Sequence, residues 1–274
     1  MRCETVGMEI VQAILLGVIE GLTEFLPISS TGHLIIAEEY INFKDTAKIF
    51  TVAIQSGAIA AVIWHYRSNL AEKFRGLGSG DKLANRFFIN IAIATIPAGL
   101  LALVLDEYFE DYATPKVVAT ALIIGAGVLW LVDKRVGPPA QQHDKPQMDK
   151  IKPHQALLAG VAQCFALIPG VSRSGAGIVG GLLGGLSRST ATELSFYMAI
   201  PILLAAGAYK LITGRHDLAS VDGGLAAIIA GAIASFIVAS FAITWLLQYV
   251  SNHSFKIFVY YRIILGVLIL LLLL

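Results

Sequence analysis

The sequence predicts an all-α polytopic membrane protein, with six transmembrane helices and two re-entrant helical hairpins in an inverted-topology repeat. Three observations predict it. The 274 residues are 56% hydrophobic and only 14% charged, where a soluble domain carries about 25% charged residues; mean hydropathy is +0.73. Six segments approach the roughly 20 apolar residues that a crossing needs. Two more apolar regions are broken midway by proline, glycine and hydroxyl residues.

In chain order, residues 9–41 form the first broken region and 47–66, 86–105 and 116–132 the first three spans. Residues 154–187 form the second broken region, followed by spans over 190–212, 223–249 and 255–274. The third span is short, and the fifth is long enough to tilt. Each half of a broken region is too short to cross alone, so each region is read as a helix–break–helix hairpin. Such backbone is tolerated at membrane depth only where protein buries it or it lines a wet cavity.

The chain is thus one integral membrane domain: repeat one over 9–132, a loop over 133–153 and repeat two over 154–274. Sliding 17–33 onto 160–176 without gaps aligns Gly17 with Gly160, Glu20 with Gln163, Ser29 with Ser172 and Gly32 with Gly175. One hairpin and three spans per unit invert the second unit, and inverted repeats build sites between discontinuous helices near the midplane.

Charge sets the orientation. Link 67–86 carries Arg67, Lys73, Arg75, Lys82 and Arg86; link 133–153 carries Lys134, Arg135, Lys145, Lys150 and Lys152. Link 106–116 is acidic, with Asp106, Glu107, Glu110 and Asp111. The basic links are expected in the cytoplasm and the acidic one outside, which puts both termini outside. A net charge of +1 gives no basic field for nucleic acid. Cys3 and Cys164 are the only cysteines, and neither a disulfide nor a cysteine metal site is expected. The apolar run 9–19 meets Glu20 at once and lacks a small-x-small cleavage site, so no cleavable signal is expected; Met8 is an alternative start.

Ionisable groups at membrane depth cost roughly 2.5–3.5 kcal/mol each on insertion scales and mark function. The first hairpin reads E-G-L-T-E-F-L-P-I-S-S-T-G-H from Glu20 to His33. Glu20 and Glu24, four apart, share a helix face. They repel unless a divalent cation lies between them, or one is protonated and serves as acid or base; the plainer account is an interfacial pair facing water. Pro27 ends the first half-helix, and Ser29, Ser30, Thr31 and Gly32 are capping residues for the second. A helix N-terminus binds phosphate. Ser30 and His33 are three apart, a spacing that allows a nucleophile–base pair, although a lone histidine is more often simply hydrogen-bonded. One oxygen does not easily cap and attack at once, which leaves capping to Ser29 or Thr31.

The second hairpin repeats the design in P-G-V-S-R-S-G, Pro169 to Gly175. Arg173 between Ser172 and Ser174 suits a phosphate oxyanion; the plainer account is a snorkelling arginine. Gly177, Gly181 and Gly185, with Gly180 and Gly184, make a small-residue packing face. Arg262 either pairs with a carboxylate, contacts substrate or is structural, the last being favoured. Gln55 lines the site or bonds a neighbouring helix.

These two motifs resemble the hallmarks of the bacterial undecaprenyl-diphosphate phosphatase family, also called bacitracin resistance proteins. The resemblance extends to Asp45-Thr46-Ala47-Lys48, Ala53-Ile54-Gln55, Glu193-Leu194-Ser195-Phe196, Ala199-Ile200-Pro201 and Tyr261-Arg262. It implies removal of the terminal phosphate of undecaprenyl diphosphate, in the bacterial cytoplasmic (inner) membrane, by a site open to the periplasm or outside. It places weight on Glu20, Glu24, Ser30, His33, Ser172, Arg173 and Ser174, and implies a divalent cation. Two positions depart from the pattern: Gly177 stands where the family usually has threonine, and Thr51 where it is usually acidic.

The expected mechanism follows. Arg173, with Ser29, Thr31, Ser172, Ser174 and Gly175 at the two half-helix N-termini, holds the diphosphate. Glu20 and Glu24 hold magnesium or calcium, or one is a base. Ser30 attacks with help from His33, or His33 orients an attacking water. Expected partners are the polyprenyl diphosphate, membrane lipid and, as a possible homodimer, a second copy. A transporter or flippase of a polyprenyl phosphate lipid would use the same anion site; a structural scaffold leaves the charges unexplained.

Overall fold

The computed structural model describes residues 2–43, 45, 48–110, 112–137, 145–213 and 221–272. Thr46, Ala47, Asp111 and residues 138–144 lie outside the described residues, as do the side chains of Cys3, Asp106, Glu107 and Glu110. Among the described residues every regular element is helical.

The first broken region is α1 (Arg2–Thr23) and α2 (Ser30–Ile41). The first half-helix is longer than the sequence suggested: the polar residues before Ile10 contain no proline, and α1 runs for 22 residues. Next come α3 (Ile49–His65), α4 (Arg67–Ser79), α5 (Lys82–Glu110) and α6 (Pro115–Val136). Link 67–86 is thus mostly helix. α4 leaves α3 at 72°, its apolar residues crowded onto one side of a charged helix. A short 3-10 turn, Met148–Lys150, precedes the second broken region: α7 (Pro153–Cys164), a 3-10 turn at Phe165–Leu167 and α8 (Arg173–Leu183). The chain ends in α9 (Arg188–Thr213), α10 (Gly224–Val250) and α11 (Lys256–Leu272).

Among the described residues four helices, α5, α6, α9 and α10, are long and apolar enough to cross a membrane, and the bent α3–α4 pair makes a fifth if it is one span. α11 is apolar but has 17 residues. The fold is therefore all-helical and integral to a membrane, with four to five spans by length and composition where the sequence suggested six.

α1 packs on α10 and α7 on α5, while α3 meets α9 and α6 meets α11 between them. These contacts are close because small residues line them. A Cβ at Gly17 would collide with the Gly231 carbonyl of α10, and one at Gly160 would come within 2.5 Å of the Ala94 carbonyl of α5. Large aliphatic and aromatic side chains fill the centre, among them Phe25, Phe196, Tyr197 and Phe255.

The basic links gather at one end of the molecule. Lys73 pairs with Asp149 at 2.6 Å, Arg86 donates to the Ile151 carbonyl at 2.7 Å, and Arg188 pairs with the buried Asp133 at 2.7 Å. Asp133 also accepts from the Phe255 backbone N–H at 3.1 Å, which fixes the start of α11 to the end of α6.

Candidate active site

Glu20 lies on the last turns of α1. Glu24 follows within one further turn, its N–H donating to the Glu20 carbonyl at 2.9 Å. Pro27 ends the turn. The chain then passes through Ser29 at φ 71° and restarts as α2, the Ser29 hydroxyl accepting from the Gly32 N–H at 3.4 Å. The second hairpin repeats this geometry: Ser172 has φ 78° and accepts from the Gly175 N–H at 3.1 Å. A non-glycine residue at positive φ costs of order 1–3 kcal/mol and persists where surrounding structure imposes it. Here the two caps impose it, on equivalent serines. Gly170, at φ 96°, admits no side chain, since a Cβ would lie 2.6 Å from the Val118 carbonyl.

The hairpin tips meet. Arg173 Nη2 lies 2.8 Å from Glu24 Oε1, with side chains 14% and 5% exposed. Arg173 Nη1 donates to the Ser195 carbonyl at 3.1 Å, and its guanidinium carbon lies 5.7 Å from the Phe25 ring centre. Its Nε is buried without a partner. The other Glu24 oxygen accepts a short hydrogen bond from the Ser30 hydroxyl. A buried ion pair is weak evidence for stability.

Glu20 is fully buried, and its carboxylate oxygens meet no donor and have only the Glu24 carboxyl beside them. Orphaned buried carboxylate oxygens of this kind fit a cation, and Glu24 is the adjacent carboxylate. Among the described residues no three acidic, histidine or cysteine side chains group closely enough to hold a metal by themselves. Two carboxylates, with the remaining ligands from phosphate and water, is the way Mg²⁺ is usually held.

Spacing suggested Ser30 beside His33, but the structure does not join them. His33 Nδ1 lies 2.7 Å from the Ser29 carbonyl and Nε2 lies 2.6 Å from the Tyr261 hydroxyl, because the α2 register turns the imidazole toward α11. Ser29 is the cap, and Thr31 is exposed at the start of α2. Ser174 is buried and fastens the tips, donating to the Leu26 carbonyl at 2.8 Å and lying 3.1 Å from the Ser172 hydroxyl. The Gly175 N–H is engaged by the cap.

Arg262 is structural, as favoured. It is 1% exposed and donates to the carbonyls of Pro27 and Gly170, one in each break, and to Ala121 and Leu122 of α6, all within 3.3 Å. Thr51 shares Asp45 with the α3 N-terminus: its hydroxyl and N–H both lie 2.7 Å from Asp45 Oδ2. The same hydroxyl lies 3.3 Å from Glu38 Oε1. Sequence reasoning passed over Tyr261, Glu38 and the Ser195 carbonyl. Glu38 left a signal as a charge within the apolar region 9–41, and Tyr261 as the neighbour of one, whereas a backbone carbonyl leaves none.

Two broken helices thus bring an arginine, a hydroxyl and two carboxylates together in one buried polar cluster of an integral membrane protein. The comparisons agree in kind. The family model of the bacitracin resistance protein BacA matches residues 13–268, and this chain belongs to that family. The chain is 47% identical over 264 residues to the undecaprenyl-diphosphatase of Nitrosomonas europaea, covering 96% of this chain and 94% of that one. It is 45% identical over 264 residues to undecaprenyl-diphosphatase 1 of Burkholderia lata, covering 96% and 95%. With the undecaprenyl-diphosphatase of Cupriavidus metallidurans the identity is 44% over 278 residues, covering 95% and 94%.

Proposed function

We propose that this chain is an undecaprenyl-diphosphate phosphatase, hydrolysing undecaprenyl diphosphate to undecaprenyl phosphate and inorganic phosphate. It thereby recycles the lipid carrier for cell-wall polymers, with bacitracin resistance as the consequence. One observation carries the mechanism: Glu24 is shared between Ser30 and Arg173.

The diphosphate takes the place of Glu24 on Arg173, whose Nε is free to donate. Released from the arginine, Glu24 is left to act on Ser30. The Ser30 oxygen forms a bond to the terminal phosphorus as the bridging P–O bond breaks and undecaprenyl phosphate departs. The hydroxyl proton passes to Glu24, which the Ser30 O–H already faces. Water then attacks the phosphoserine phosphorus as the Ser30 O–P bond breaks; Glu24 returns its proton to the Ser30 oxygen, and the protons of the water leave with the inorganic phosphate. Phosphoryl transfer is mainly positioning and charge neutralisation, and the half-helix N-termini at Ser30 and Arg173 add their positive dipole ends. Glu20 and Glu24 would hold a divalent cation, Mg or Ca. Bound there, it supplies charge neutralisation at the phosphate oxygens.

The topology belongs to the same proposal: six crossings, with the two hairpins re-entering, and two inverted repeats. The equivalent strained caps at Ser29 and Ser172 support it. So does the exchange of partners between halves, α1 on α10 and α7 on α5. The basic links would face the cytoplasm and the site the outside of the inner membrane, with the prenyl tail lying between helices in lipid. On the side facing the links, Phe25 meets Phe196 edge-on at 5.2 Å, and behind them Tyr197 packs against a tilted Tyr66 and an edge-on Phe87. This aromatic seal disfavours a flippase, which would need the site to open both ways.

The test is phosphate release from undecaprenyl diphosphate by purified protein. Wild-type release should stop on chelation and return with Mg²⁺ or Ca²⁺. Arg173→Ala and Ser30→Ala should each lower turnover by about 10³-fold or more. Substantial turnover in Ser30→Ala would move the attack from serine to water. Most of the activity surviving in Arg173→Ala would remove the anion clamp.

A further inference from the structure

Tyr261 makes a contact that the proposed chemistry leaves unused. Its phenolic oxygen lies 2.6 Å from His33 Nε2. The two rings stack, with centres 5.6 Å apart and planes inclined by 10°. The other ring nitrogen, Nδ1, lies 2.7 Å from the Ser29 carbonyl oxygen. A carbonyl can only accept, so Nδ1 carries the proton and Nε2 of the neutral ring carries the lone pair. The Tyr261 O–H is therefore the donor to Nε2.

Burial does not force this bond. Tyr261 is 42% exposed, so packing alone does not fix its phenol. The register of α11 places it, because the next residue, Arg262, is locked to four carbonyls across α6 and both hairpin breaks. At the other end, the carbonyl held by His33 Nδ1–H belongs to the peptide unit joining Ser29 to Ser30. That unit leaves the strained cap residue at φ 71° and sets the direction of the Ser30 side chain.

We propose that Tyr261 is a positioning residue for the hydrolysis: stacked on His33 and donating to Nε2, it fixes the imidazole with Nδ1–H on the Ser29 carbonyl and so aims Ser30. His33 is then neither the base nor a free imidazole. It is the link between α11 and the peptide that carries the nucleophile, and the Ser30 proton is left to Glu24. This rests on the phosphatase reading above.

Tyr261→Phe keeps the ring stack and removes only the O–H. We expect its kcat to fall roughly tenfold, since small misplacements of a reacting group have effects of that order or more, with KM for undecaprenyl diphosphate within about twofold of wild type. In a His33→Asn background the same change should alter kcat by less than about twofold, because coupled residues lose additivity. An unchanged kcat in Tyr261→Phe, or an equal loss in both backgrounds, overturns the proposal. A second readout does not need turnover. In protein labelled with ¹⁵N at histidine, the Nε2 resonance absent from His33→Asn should move downfield in Tyr261→Phe while Nδ1 stays protonated. An unmoved Nε2 overturns the proposal even if the wild-type protein releases no phosphate. Absence of wild-type release with Mg²⁺ present would instead defeat the phosphatase reading alone.

Discussion

Arg262 shows what one buried residue can hold together. Its guanidinium gives hydrogen bonds to carbonyls at Pro27, Ala121, Leu122 and Gly170, and Gly125 is a glycine where a Cβ would strike that guanidinium. Arg262→Met keeps the bulk but leaves the two loop carbonyls without a donor. Buried acceptors left unpaired cost about 1–3 kcal/mol each, so a loss of about 3 kcal/mol is expected, read as a fall of several degrees in Tm in detergent. Arg262→Lys should recover only part of it, because an ammonium lacks the planar fork. Glu24 and Arg173 stood out in the sequence because charge in an apolar run is conspicuous, and Ser30 because a hydroxyl cluster follows the Pro27 break. The partners of Arg262 were not, because backbone carbonyls leave no mark on a sequence. The Ser30–His33 pairing failed for a related reason: a three-residue spacing suggests a shared face, but the ring turns away from Ser30 to a partner, Tyr261, that lies 228 residues away.

The helices are held close by glycines, and not all of these are alike. At Gly177 the nearest atoms a Cβ would meet are those of Ser195, at 3.4 Å or more, which is ordinary contact. Gly177→Ala should therefore raise stability by up to about 1 kcal/mol through helix propensity alone. At Gly180, three residues on, a Cβ would come within 2.5 Å of the Leu158 carbonyl and 2.7 Å of Ala159 Cα. Gly180→Ala should push α8 off α7 and cost roughly 1–3 kcal/mol. Thermal unfolding of the two variants side by side checks the contrast; equal shifts would mean that α8 is not pinned as the structure has it. The sequence predicted a packing face here but had no means to rank its members, since the ranking depends on the partner backbone. The apolar segments and both breaks were also legible, whereas α4 and the 72° bend were not. Charge density in 67–86 reads as a solvated link whether or not it is helical.

Across the whole molecule the site lies toward the α6 N-terminal end, where Val118 packs over Gly170 and Gly32, and the basic links lie at the other end. Charge asymmetry made this polarity legible in the sequence, since lysine and arginine in short loops set orientation. With Cys164 and Cys3 replaced, a membrane-impermeant maleimide should label Lys116→Cys from outside intact cells, and Arg75→Cys only after the membrane is opened; both residues are exposed. The reverse pattern would invert the proposed orientation. The meeting of the hairpins was a spatial inference from two distant motifs, and the 2.8 Å Glu24–Arg173 pair bears it out. The clamp that secures this meeting has a further consequence during biosynthesis. Arg262 follows the Gly170 turn by 92 residues and the Pro27 turn by 235, so a ribosome delivers both turns to the bilayer long before the side chain that unites them. A nascent chain halted short of α11 would hold every reacting group and still be inert, so activity should begin abruptly, at a late stage of translation.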